Sequence, residues 1–165
     1  MIEEPAGISA RISRYTRWFA CAGLMVMTAI IGWQVFARYV LNASPAWAEQ
    51  AALLLMIWYV LFAAAAGVRE GFHIRIGVFE TALAPRAQRA VRIAAHLLVG
   101  LFGLAMVVWG AELTVATWQH DIPTLGLPRG VAYAPMPLAG MLIVGFSIEH
   151  VLALRRGREV DGTWN

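Results

Sequence analysis

The sequence predicts an all-α integral membrane protein with four transmembrane helices. Both termini are expected on the cytoplasmic side, and a short amphipathic helix is expected in the interface between helices 2 and 3. Three observations carry that fold class. Hydrophobic residues make up 60% of the 165-residue chain and charged residues only 14%, against roughly a quarter in a soluble domain. Four charge-free runs, Trp18–Ala37, Gln50–Val68, Ile93–Ala111 and Gly130–Ile148, each hold 19 or 20 residues. The basic residues, all of them arginine, fall almost entirely on one side of those runs.

At about 1.5 Å per residue, each run forms a helix about 30 Å long, the thickness of the hydrocarbon core. In lipid only helices and closed barrels satisfy the backbone, and the runs lack the alternation of barrel strands. With flanking turns, the spans are expected over about 18–41, 46–68, 90–113 and 130–152, in a single membrane domain covering residues 1–165. The first run is longer than the apolar region of a cleaved signal peptide, so it is expected to stay in the mature protein. Cys21 is the sole cysteine. It excludes an internal disulfide and is expected to be a small buried residue of the first helix.

Arginine placement sets the orientation. Arg11, Arg14 and Arg17 precede the first span, and Arg69, Arg75, Arg86, Arg89 and Arg92 separate the second from the third. Arg155, Arg156 and Arg158 follow the fourth. Only Arg38 and Arg129 lie on the other side. This placement explains the net charge of +3 without a nucleic-acid partner; membrane lipids are the expected surroundings.

The first connection reads FARYVLNASPAWAEQ. Ser44 and Pro45 read as N-cap and first residue of helix 2. Arg38 and Glu49 then lie at similar depth on the two arms of a hairpin. They either snorkel to the interface or pair, with each other or with a partner subunit. Between spans two and three, Phe72, Ile76, Phe79 and Leu83 form one helical stripe, with Arg75 and Glu80 beside it. That pattern predicts the interfacial helix, within a cytoplasmic segment of about 70–84. Pro85 suits the start of a third helix running to near Trp118. Pro135 and Pro137 should bend or loosen the first turn of the fourth span. Gly103 and Gly110 are spaced for close helix contact, as are Ala63 and Gly67.

Little in the sequence supports chemistry. His73, His96, His120 and His150 raise a haem-bearing membrane anchor of a respiratory complex as the alternative reading. None lies deep in a span, so no cofactor is expected. His120 with Asp121 lacks a third metal ligand, and no metal is expected. No nucleophile or acid–base cluster marks an enzyme, and no catalytic or substrate-binding residue is assigned. Glu112 and Glu149 flank spans, where carboxylates are expected to reach headgroups. No stack of polar groups crosses the membrane, so the chain alone is not expected to transport. Trp58 falls mid-span, where packing against protein or lipid is the expectation.

The run QVFARYVLNASPAWAEQAALLLMIWYVLFAAAAGVREGFHIRIGVF resembles the small membrane subunit of TRAP transporters, the tripartite ATP-independent periplasmic systems. Arg38-Tyr39, Asn42, Trp47, Glu49, Trp58, Arg69 and His73-Ile74 carry the resemblance, and TLGLPRGVAYAPMPLAGMLIVG extends it. Gln50 stands where that family often has a second acid. The resemblance implies an accessory scaffold subunit of a sodium-coupled uptake transporter for organic acids, C4-dicarboxylates or other carboxylates. Its implied partners are a large multi-span transporter subunit and a periplasmic substrate-binding protein. Its implied location is the bacterial inner membrane, with both termini cytoplasmic. Arg38, Trp47 and Glu49 are then expected to fix the outer hairpin and its partner contacts. Trp58, Arg69 and His73 are further structural or partner-interface candidates, the last two at the cytoplasmic turn.

Overall fold

The computed structural model describes residues 8–43, 45–71 and 85–156. Four long helices dominate: α1 (Ile8–Tyr39), α2 (Ala46–Arg69), α3 (Pro85–Ala116) and α5 (Pro135–Arg155). Between α3 and α5 lie a two-residue antiparallel ribbon, β1 (Asp121–Ile122) and β2 (Leu127–Pro128), and a single helical turn, α4 (Gly130–Tyr133). Each of the four stretches Ser9–Tyr39, Ala46–Arg69, Ala87–Ala116 and Gly130–Arg155 is long and apolar enough to cross a membrane. The interfacial helix expected after α2 lies outside the described residues, apart from Glu70 and Gly71.

Local chemistry sets the helix ends. Asn42 takes φ 50° and turns the chain out of α1, and the Ala43 amide returns to the Ala37 carbonyl at 3.0 Å. Asparagine tolerates that left-handed conformation better than most residues. Pro45 is extended and flanks α2 rather than opening it, so the helix begins one residue later than its Ser-Pro signal predicts. Pro85 does open α3, where its missing amide costs nothing. At the far end of the chain, Arg89 donates from Nη2 to the Arg155 carbonyl at 2.6 Å and satisfies one of the orphan acceptors of α5. Within the spans, Thr16, Thr28 and Thr114 return their hydroxyls to the carbonyls of Ile12, Leu24 and Gly110, so each donor is used inside its own helix.

The helices pack as a row rather than a square. Among the described residues α1 packs along α2, α2 along α5, and α5 along α3. The core follows from that order. Ala65 and Val68 of α2, Met106 of α3, and Ala139, Ile143 and Phe146 of α5 form one buried cluster, to which α1 adds nothing. The α3–α5 contact is the tightest. A Cβ on Gly140 would stand 2.7 Å from the Gly103 carbonyl, and one on Gly103 would stand 2.8 Å from Ile143 Cγ2. Gly110 meets Met136 and Pro137 in the same way. Close approach through small residues is how helices associate when lipid supplies no hydrophobic drive. Cys21 departs from expectation: it is exposed on α1, in an apolar groove of about 280 Å³ between α1 and α2. An edge helix that packs mainly along α2 has few buried positions to offer.

Candidate functional site

Polar side chains gather at the two ends of the helices, and the core between them is apolar. The end where α1 starts and α5 stops holds the denser cluster. Arg69, at the last residue of α2, is 5% exposed. Its Nη1 lies 3.9 Å from Glu70 Oε1, and its Nε lies 3.9 Å from Glu149 Oε2 on α5. At that separation both contacts are ionic without being hydrogen bonds. Helix α1 completes the set. Arg17 Nη1 lies 3.5 Å from Glu70 Oε1, Ser13 donates to the same oxygen at 3.2 Å, and Ser9 donates to Glu149 Oε1 at 2.6 Å. Two arginines thus face two carboxylates, drawn from α1, α5 and the α2 terminus. Buried charges persist only when so paired.

The histidines extend this cluster to α3. His150 Nε2 lies 2.9 Å from the Arg69 carbonyl, the geometry of an N–H donating to one of the acceptors left open at the end of α2. His96 of α3 stacks on His150, with ring centroids 4.3 Å apart and planes within 9°. Face-to-face imidazoles cannot direct a nitrogen each at one iron from opposite sides, which is what axial haem ligation requires. Glu149 is the main departure from the sequence reading here: it turns inward to Arg69 and Ser9 instead of outward to headgroups. Of the expected residues at this end, Arg69 is central, and His73 lies outside the described residues.

At the opposite end, the ribbon is pinned by the Arg129 amide, which donates to the His120 carbonyl at 2.6 Å, and by the turn at Gly126, φ +62°. Arg38 and Glu49 are both exposed, and among the described residues no ion pair joins them. Trp47 is 42% exposed beside them. Trp58 is half-buried on α2, edge-on to Phe19 of α1, and its indole Nε1 donates to the Val131 carbonyl at 3.0 Å. Val131 belongs to α4, at the root of the ribbon.

Similarity to known proteins agrees with this geometry. A family model described as "Tripartite ATP-independent periplasmic transporters, DctQ component" matches residues 27–157. The chain belongs to this family. It is a TRAP transporter small permease subunit, and the family with its four spans makes it a multi-pass inner-membrane protein. Among curated relatives, it is 23% identical to the sialic acid TRAP transporter small permease protein SiaQ of Vibrio cholerae serotype O1. That match covers 81% of this chain and 77% of the relative. It is 25% identical to the C4-dicarboxylate TRAP transporter small permease protein DctQ of the same organism, over 73% of this chain and 62% of the relative. The family match runs from late α1 to the end of α5; it takes in Arg69, Glu70, His96, Glu149 and His150 but not Ser9, Ser13 and Arg17.

Proposed function

We propose that this TRAP small permease subunit is the noncatalytic scaffold of a sodium-coupled uptake system for an organic acid. It works with a large multi-span membrane subunit and a periplasmic binding protein. The family match over residues 27–157 carries this reading. Two physical features support the scaffold role. The spans meet through an apolar core with no line of polar groups across it among the described residues, and all four helices are tied together at the end where α1 starts and α5 stops. That end is cytoplasmic in this reading, and the ribbon end faces the periplasm, because the arginines crowd the former. The relatives named for sialic acid and C4-dicarboxylates point to a carboxylate as the transported molecule. Arg38, Trp47 and Glu49, exposed at the periplasmic end, are the partner-contact residues.

Reconstitution tests this. In proteoliposomes holding both membrane subunits, with binding protein outside, a carboxylate should accumulate when an inward sodium gradient is imposed. Omitting this chain should abolish uptake, and this chain alone should give none. Uptake by this chain alone, or full uptake without it, would overturn the scaffold reading.

A further inference from the structure

The last span is broken where proline removes a donor. In an uninterrupted helix the Val131 carbonyl would accept from the amide of residue 135, but residue 135 is proline and has none. Pro135 is fully buried, packed into the bundle at the start of α5. The backbone stays helical through Ala134, at φ −51° and ψ −35°, so the carbonyl keeps its usual direction along the helix. The indole Nε1 of Trp58 takes the place of the missing amide at 3.0 Å. A carbonyl left without a donor here loses a hydrogen bond that the rest of the helix makes, and the indole restores it.

We propose that Trp58 is a positioning residue for the ribbon end: its indole N–H replaces the amide that Pro135 lacks, and so fixes α4 and the attached 121–128 ribbon against α2. Three features make the link directional. Gly130 lies hard against α3, since a Cβ there would stand 2.6 Å from both the Thr114 carbonyl and Trp118 Cε3. The α4 turn is therefore clamped by α3 on one side and hydrogen-bonded by α2 on the other. The ribbon is tied to the same turn through Arg129, whose amide bonds His120 and whose carbonyl accepts the Ala132 amide at 2.9 Å. Trp58 itself is held by edge-on contact with Phe19 and tilted packing on Phe62. The ribbon thus takes its placement from a residue well down α2. Its use in docking the binding protein rests on the function proposed above.

Amide hydrogen exchange on the full chain in lipid nanodiscs tests the link. Trp58→Phe keeps an aromatic ring and removes the donor. Exchange over residues 119–134 should accelerate about fivefold or more, the effect of losing one hydrogen bond worth about 1 kcal/mol. Exchange over the Gly103–Gly140 crossing should stay unchanged, which separates the effect from unfolding. Pro135→Ala restores a backbone donor for Val131, so adding it to Trp58→Phe should return most of the lost protection. Unchanged exchange in Trp58→Phe, acceleration spread evenly over the chain, or no rescue by Pro135→Ala would each overturn the proposal. A second arm measures the half-saturating concentration of binding protein in reconstituted uptake, with Asp121→Arg on the ribbon as comparison. Loosened exchange with neither variant altering that concentration keeps the link and discards the docking surface. A shift with Asp121→Arg, but unaltered exchange in Trp58→Phe, does the reverse.

Discussion

Arg69 shows how far a single residue can be read before the fold is known. Its position after an apolar run marks it as an interfacial cation, and the sequence places it at the cytoplasmic turn. Its burial between Glu70 and Glu149 depends on α5 returning to the same level, which no local pattern encodes. Glu149 is harder still, because a carboxylate at a span end usually reaches headgroups. The local sign is its neighbour His150, a second polar group at the same boundary. Removing Arg69 takes away the buried cation that lies near both the Glu70 and Glu149 carboxylates. Arg69→Ala should therefore destabilise the isolated chain by about 3 kcal/mol, the cost of breaking a buried pair, read as a fall in unfolding midpoint in detergent. Arg38→Ala should cost under about 0.5 kcal/mol in the same assay, since Arg38 is exposed and makes no ion pair among the described residues. Its predicted effect lies in the complex: a lower yield of the large subunit on co-purification. Equal midpoints for Arg69→Ala and Arg38→Ala would remove the distinction between the two ends.

Among the elements, the α3–α5 pair decides most. Gly103 and Gly110 mark a packing face in the sequence, and the structure sets Gly103 against Gly140. The Gly140 partner is not legible there, because glycine is common in transmembrane helices and only the crossing point distinguishes Gly140 from Gly145. A methyl group added at Gly145 would meet nothing within 4 Å, whereas one at Gly140 would meet a backbone carbonyl. Gly140→Ala should cost about 1–3 kcal/mol through forced separation of the helices. Gly145→Ala should be neutral or stabilising by up to about 1 kcal/mol, as expected for alanine over glycine in a helix. Thermal unfolding of the two variants side by side checks the contrast, and equal losses would contradict it. The start of the last span tells a similar story. Its two prolines announce a loosened turn, but the partner for the stranded carbonyl comes from 73 residues away in sequence. Such a partner is a tertiary fact.

For the whole molecule, hydropathy alone sets the number of spans, since lipid imposes length and apolarity on each helix separately. The order of the helices across the membrane is not legible, because all four runs are similarly apolar and any pair could be neighbours. The direction of insertion belongs to this scale. In a Cys21→Ser background, a membrane-impermeant maleimide should label Leu125→Cys from the periplasmic side. Arg156→Cys should react only after the inner membrane is opened. The reverse pattern would invert the assignment of both polar ends and of every partner contact derived from it.

The row of helices also bears on how the chain can change over time. A square bundle turns one side of every helix toward a shared interior, whereas a row leaves both broad faces of its members on lipid or on a partner. At lipid-facing positions one apolar side chain serves about as well as another, so substitutions accumulate without penalty. Strict requirements shrink to a few points: glycines at one crossing, a charged knot at one end, a proline and its distant donor at the other. Identities of 23% and 25% to relatives with the same subunit role are what such sparse constraint permits.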